Sequence, residues 1–491
     1  MPIRFPVVVL ISTILLGMLI YALHLFNLVT SANEVYARFC ALGTFIVGFV
    51  LLVLQKSKFH KFSLSDFYKN DTFISITLLI LLVSSFFYSE VGYYTMGLFV
   101  LAAFVHFLYT RKFYPPNKIF YFVILYALLQ FFGTIGTEKG FHFPDRTLCY
   151  YLLPLSLCFF RLSKQTLICV GKLFFRAAII FLAVCVLYWW YNFLHLDANF
   201  IDWITTKTEY LAEMLGWEAQ AKTHNMNYYA AYFFVTSWSY YFHPSFVSLV
   251  LFFGLITGLY LYHKKNVTPT ITRFELILYI VLCFFVIVLI QSRIGFVGFL
   301  FIISATGLYY LKLKTKFFKF GLILYLLLGF AALYVSKGSA SDFVEDDIRE
   351  AYRCVAVSYI QDNFWWGSGF RQEQVALMKQ AEMMKDVLPH SVYPHTSHPI
   401  YYVHNQFLGD MVQFGIWGLL ALLLMMSAIA HYAIKNRSYL LQMMICAMFL
   451  FMMIEEPFYV MHGAIHFVSF LVFFTMISEK RQENEKINQF L

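Results

Sequence analysis

The chain has 491 residues, of which 60% are hydrophobic, 20% aromatic and only 13% charged. A soluble protein has about 25% charged residues, so this composition excludes a soluble globular protein and indicates an integral membrane protein. The formal net charge of +9 comes largely from Lys and Arg in short segments between apolar runs, which is a pattern of membrane topology and not of nucleic-acid binding.

Apolar runs suited to membrane-spanning helices, which need about 17–25 residues, recur along the chain. They predict an all-α, polytopic membrane protein with about 12–14 transmembrane helices. The first run is too long for a signal-peptide core and is interpreted as an uncleaved span. The predicted spans are 6–30, 39–55, 73–89, 92–110, 119–136, 147–161, 174–195, 243–262, 275–291, 295–310, 320–336, 408–433, 438–454 and 458–477.

Alternate connections between these spans are rich in Lys and Arg, so the positive-inside rule places that side and both termini in the cytoplasm. The opposite side has one large insert, 337–404, in which the sequence predicts an amphipathic helix, a turn over 363–370 and a second helix. The chain therefore divides into N-terminal spans (1–242), central spans (243–336), the insert (337–404) and C-terminal spans (405–491).

Arginine side chains supply the first candidate binding groups. Arg293 lies in the short connection between two apolar spans, where an arginine is costly and usually has a partner or an anionic ligand. The alternative is that its side chain reaches phospholipid headgroups. Arg349 and Arg353 are four residues apart and would share a helix face, and Arg371 follows the turn.

Guanidinium groups suit diphosphates because their planar fork donates paired hydrogen bonds. The alternative for the insert arginines is ordinary surface ion pairing with the neighbouring acidic run. That run consists of Glu345, Asp346, Asp347 and Glu350.

The candidate general base is His404, which Asn405 follows at the mouth of a predicted helix. At 100° per residue, Gly415 and Gly418 would lie within about 40° of the His404 direction. Both glycines would then lie below His404 on one face of a continuous helix and let another helix approach. A histidine at a helix N-terminus favours the neutral imidazole, which can accept a proton. The alternative is a capping or hydrogen-bonded histidine.

Three further histidines, His390, His395 and His398, precede His404 and raise the alternative of a zinc site. Their spacing is not the helical i, i+4 pattern, and no cysteine is near. We therefore expect these three histidines to be loop residues that bind no metal.

The motif H404-N405-x(9)-G415-x-x-G418 resembles the signature of the O-antigen ligase superfamily, which includes O-antigen ligases, O-antigen polymerases and bacterial protein O-oligosaccharyltransferases. S292-R293-x-G295 and R349-x(17)-G367-x-G369 are similar to two further motifs of that family. The resemblance covers about 240–420. It implies a GT-C-like enzyme of the bacterial inner membrane with its site facing the periplasm.

The resemblance also implies an inverting, metal-independent glycosyl transfer that needs no cofactor. The donor would be a glycan on undecaprenyl diphosphate, and the acceptor a hydroxyl of lipid A core, of another glycan or of a protein. Arg293 and Arg349, with Arg353 or Arg371, would bind the diphosphate, His404 would deprotonate the acceptor, and Asn405, Gly415 and Gly418 would support it. Ligation to lipid A core is the first expectation.

A transporter of lipid-linked oligosaccharides is the alternative from another class. Transporters commonly have internal repeats and ionisable residues near the membrane midplane. Here the spans are nearly free of charge and the polar residues gather at one edge, which favours surface chemistry.

Overall fold

The structure, a computed structural model, describes residues 72–86, 89–133, 147–194, 244–263, 271–289, 292–310, 347–370, 372–384 and 403–479. These residues form helices and turns, with no β-strand among them. The α-helices in this part of the chain are α1 (Thr72–Val83), α2 (Ser89–Thr110), α3 (Ile119–Phe132), α4 (Leu148–Ser156), α5 (Lys164–Leu194), α6 (Pro244–His263), α7 (Arg273–Leu289), α8 (Arg293–Tyr310), α9 (Asp347–Asp362), α10 (Glu373–Met383), α11 (Gln406–Phe414), α12 (Ile416–Lys435), α13 (Tyr439–Met452) and α14 (Met461–Ser478).

The predicted all-α membrane architecture is confirmed. Within the described ranges, four stretches are long and apolar enough to cross a membrane, namely Val91–Thr110, Lys164–Val186, Ser245–His263 and Ile416–Lys435. Several other apolar helices, such as α3, α13 and most of α14, are shorter. The predicted spans 6–30, 39–55 and 320–336 lie outside the described residues, so the total of 12–14 stays a prediction.

Two predicted spans in the N-terminal half of the chain differ from the helices that form. Over 147–161 the helix is α4, which has nine residues and is too short to cross a bilayer by itself. Over 174–195 the helix is α5, which has 31 residues and begins already at Lys164. The early start was missed because Lys164 and Lys172 lower the hydropathy of its first turns.

The helices form two compact units that interleave along the chain. The first takes in the described residues of Met1–Arg111 and Leu162–Leu300, and the second those of Lys112–Arg161 and Phe301–Leu491. The division into four consecutive segments stays a prediction.

In the first unit, Arg293 is the first residue of α8, which begins two residues earlier than the predicted span 295–310. Ser292 precedes it, and its Oγ accepts a hydrogen bond of 3.0 Å from the N–H of Gly295. This is a serine N-cap, which satisfies a backbone donor that the helix leaves free. The Oγ of Ser248 on α6 donates to Ser292 Oγ at 2.9 Å, so α6 fixes the start of α8.

In the second unit, the predicted helices of the insert are confirmed as α9 and α10, and the predicted turn connects them. α9 is amphipathic, because its apolar residues recur on one face while Arg353, Cys354 and Val357 are exposed. That face packs against α10 and α11 around a shared core. The buried members of this core are Ala351, Val355, Ala356, Ile360, Leu377, Ala381, Val403 and Val412.

Candidate functional site

His404 stands immediately before α11, with its backbone in the left-handed region at φ 55°. Residues other than glycine seldom adopt this conformation, and it concentrates at sites where the surrounding structure enforces it. Asn405 follows as the N-cap of α11, since its side-chain oxygen accepts a hydrogen bond of 3.1 Å from the N–H of Leu408. The predicted position of His404 at a helix mouth is confirmed.

The turn after α13 contacts three successive residues, Val403, His404 and Asn405. The carbonyl of Met453 accepts a hydrogen bond from the Asn405 side chain at 3.2 Å. A carboxylate oxygen of Glu455 lies 3.2 Å from His404 Nδ1. A carboxylate oxygen of Glu456 accepts the N–H of Val403 at 2.9 Å. This turn therefore fixes both the strained backbone and the imidazole ring.

Glu455 contacts the imidazole at Nδ1. An ionised carboxylate can only accept a hydrogen bond, so with Glu455 ionised the favoured tautomer carries its proton on Nδ1, and Nε2 is then the nitrogen that can accept a proton. The His404 side chain is 26% exposed, whereas that of Glu455 is only 7% exposed. The pair can therefore take a proton from a molecule at the surface while its carboxylate stays shielded from water.

Glu456 is buried, and its carboxyl holds the backbone before His404 through the N–H of Val403. Burial raises the pKa of its carboxyl well above the usual range, and the charges of Glu373 and Glu455 raise this pKa further. Its bond to the N–H of Val403 opposes that effect.

The prediction of one continuous helix below His404 is wrong. The helix ends at Phe414, and a new one, α12, starts at Ile416. Gly415 between them has φ 62° and ψ −152°, a conformation essentially restricted to glycine. Gly418 lies against the backbone of Asp410 and the side chain of Phe414. Gly418 therefore permits the close approach of another helix, as the sequence predicted. That helix is α11, which folds back on α12.

The G367-x-G369 turn closes the C-terminal end of α11. The N–H groups of Ser368 and Gly369 each donate at 2.8 Å, to the carbonyls of Val412 and Gln413. The last carbonyls of a helix lack partners within the helix, so these two bonds satisfy them. Gly367 and Gly369 have φ of 66° and 89°, which explains why glycine occupies both positions.

A buried polar cluster anchors α11 from below. The Tyr126 hydroxyl donates to Asp410 at 2.9 Å, Gln406 donates to the same carboxyl at 3.2 Å, and Tyr459 is a third donor. Asp410 belongs to α11, outside the candidate spans. Burial raises its pKa to about 7, although these hydrogen bonds act in the opposite direction. The cluster links α3, α11 and the turn after α13.

The structure relates only two of the predicted arginines to His404. Arg349 and Arg353 lie one turn apart on α9, which packs against the helix that His404 precedes. The Arg353 side chain is exposed. Arg293 belongs to the first unit, and Arg371 lies outside the described residues. The role of each arginine in diphosphate binding stays a prediction.

His390, His395 and His398 also lie outside the described residues, so the structure does not bear on their arrangement. In the part of the chain that is described, no group of three or more His, Cys, Asp or Glu side chains is arranged to hold a metal ion.

Residues 278–423 match the family model described as O-antigen ligase. This match supports membership of the chain in the O-antigen ligase superfamily. No curated protein matches the chain. The matched O-antigen ligase region contains Arg293, the insert with its arginines, and His404 through Gly418. It ends before Glu455 and Glu456. The match therefore supports a membrane enzyme of the O-antigen ligase and polymerase family.

The sequence analysis did not identify several residues that lie around the site. They are Asp410, Glu455, Glu456, Tyr126 and Tyr459. A signal for two of them was present, since Glu455-Glu456-Pro457 is an acidic pair between two apolar runs. Ionisable residues in such a position are functional candidates.

Proposed function

We propose that the protein transfers a glycan from undecaprenyl diphosphate to an acceptor hydroxyl at the periplasmic face of the bacterial inner membrane. The observation that carries the proposal is His404, which lies in the O-antigen ligase region, has a left-handed backbone and pairs with Glu455. A histidine oriented by a carboxylate and open to the surface is suited to general-base catalysis.

In the proposed reaction, the acceptor oxygen attacks the anomeric carbon of the donor sugar as its proton moves to His404 Nε2. The bond from that carbon to the diphosphate breaks, and undecaprenyl diphosphate leaves with the electron pair. Glu455 stabilises the imidazolium that forms, as a carboxylate does for a catalytic histidine. Attack from the side opposite the leaving group inverts the anomeric centre, and no metal takes part.

Arginine side chains would neutralise the charge that develops on the leaving diphosphate. The packing of α9 on α11 supports the part that Arg349 and Arg353 take in this proposal. Arg293 and Arg371 complete the proposed set on the strength of the sequence motifs. Among acceptors we favour lipid A core; another glycan or a protein hydroxyl would make the chain a polymerase or a protein O-oligosaccharyltransferase.

The test replaces His404 with Ala in cells that lack the native gene. We expect undecaprenyl-linked glycan to accumulate and its surface product to disappear, because no base accepts the hydroxyl proton. Bare lipid A core would identify a ligase, core with one repeat a polymerase, and unglycosylated protein the third activity. His431→Ala, which changes another exposed histidine, on α12, is the matched control. Normal product in His404→Ala would refute the catalytic role.

A transporter would behave differently in a reconstituted system. Purified protein in vesicles with lipid-linked glycan and acceptor should form a covalent product if it is the transferase. Movement of the glycan lipid across the bilayer without such a product would instead support the transporter alternative.

A further inference from the structure

Three exposed aromatic side chains lie on the turn between α9 and α10. Phe364, Trp365 and Trp366 follow one another there, and the two tryptophans are 60% and 78% exposed. Such a group on the surface of a soluble protein would be unusual, since large exposed apolar patches generally mark interaction sites.

Backbone hydrogen bonds connect both ends of this turn to the ends of apolar helices. The carbonyl of Phe364 accepts the N–H of Ile416, the first residue of α12, at 2.8 Å. At the other end, the N–H of Phe370 donates to the carbonyl of Gly133, directly after α3, at 2.9 Å. α12 is a candidate membrane span. The turn therefore lies at the level where that span reaches the membrane surface.

The exposed faces of the two helices continue from the turn. On α12, Trp417 is 45% exposed, and the exposed Leu420 and Leu424 follow it on the same face. On α3, the exposed Leu125 and Phe132 lie on a face that ends beside Gly133. Apolar faces of this kind on membrane helices are those that meet lipid. The aromatic turn thus extends a lipid-facing surface at its upper edge.

We propose that Phe364, Trp365 and Trp366, together with Trp417, form a membrane-interface contact that seats the α9–α10 insert on the bilayer surface. Tryptophan favours the headgroup level because its ring is apolar and its indole N–H is polar. The contact positions α9, and hence Arg349 and Arg353, at the depth of lipid headgroups. It depends on the membrane-spanning character of α12 and not on the proposed reaction.

The test uses variants that retain a single tryptophan, at 365, 366 or 417, in which every other tryptophan is replaced with Phe. Besides the other two of these positions, the replaced residues are Trp189, Trp190, Trp203, Trp217 and Trp238. Each variant is reconstituted in lipid nanodiscs, and its emission is measured with a quencher attached high on the lipid acyl chain and, separately, with aqueous acrylamide. Trp417 is the internal reference for a residue at the start of a span.

We expect Trp365 and Trp366 to show blue-shifted emission, quenching by the lipid-attached quencher comparable to that of Trp417, and little quenching by acrylamide. Strong acrylamide quenching without lipid quenching at both positions would overturn the proposal. Protection of the two residues by soluble oligosaccharide, in place of lipid quenching, would also overturn it and identify a carbohydrate-stacking surface.

A second variant avoids extensive substitution. Trp365→Phe/Trp366→Phe in the otherwise native chain changes only the turn. Its lipid-quenched fluorescence should be lower than that of the native chain. An unchanged lipid-quenched component would refute the contact even if the single-tryptophan variants failed to fold.

Discussion

A single methyl group added at Gly415 should weaken the contact between the insert and α11, the helix that follows His404. In Gly415→Ala, the residue must keep φ 62° and ψ −152°, a region that costs a non-glycine residue about 1–3 kcal/mol. The added Cβ would also meet the backbone of Trp365 and lie 2.6 Å from the carbonyl oxygen of Phe364. Overpacking of this kind typically costs about 1–3 kcal/mol.

A combined cost of about 3 kcal/mol corresponds to a roughly 150-fold change in a local opening equilibrium. The amides of Ser368, Gly369 and Ile416 report that opening, because each of them bonds across the junction. Hydrogen exchange of the reconstituted protein should therefore be about two orders of magnitude faster at these amides in Gly415→Ala, as expected for a local unfolding event.

Gly307→Ala is the matched control. Gly307 lies within α8, and a Cβ there would have no other atom within 4 Å. The same added methyl should stabilise that helix by about 1 kcal/mol and leave exchange of the junction amides unchanged. Equal exchange in the two variants would refute the view that the Gly415 conformation holds the turn on α11.

Three further predictions concern the site. Glu455→Gln should lower kcat by up to about 10⁴-fold with little change in the KM for donor, as for the carboxylate-to-amide change beside a catalytic histidine; partial rescue by Glu455→Asp and an altered pH profile would separate orientation from misfolding. The raised pKa of Asp410, about 7, contributes stability that is complete below the ordinary value near 3.8 and is lost as pH rises to 7; the thermal midpoint should therefore fall between about pH 4 and pH 7 in the native chain and less in Asp410→Asn. Arg293→Lys should reduce product formation because a point charge cannot replace the bidentate fork, and full activity would indicate simple headgroup contact.

The parts of the fold that depend on local pattern could be predicted from the sequence. The apolar periodicity of α9 and the glycine-containing turn after it identified the insert helices, and the apolar run 295–310 identified α8 to within two residues of its start. The position of His404 followed from a polar run that ends where an apolar helix begins. In each case the deciding residues are neighbours along the chain.

The parts that depend on distant residues could not be predicted. The bond from Glu455 to His404 joins positions 51 residues apart in sequence, and the bond from Tyr126 to Asp410 joins positions 284 apart. The break at Gly415 was missed for a similar reason. A glycine in an apolar run fits both a continuous helix and a positive-φ break, and the choice depends on the Phe364–Trp365 backbone that packs against it.

The spacing between His404 and Gly415 now has a physical explanation. Asn405 caps one end of α11 and Gly415 terminates the other. The nine residues between them in the motif therefore form the whole of α11, which is about 13 Å long. One end must reach Glu455 and the other must meet the turn at Gly367–Gly369. An inserted residue would rotate one end relative to the other by about 100° and shift it by about 1.5 Å. The two contacts could not then both form, which gives a physical reason for the spacing within the motif.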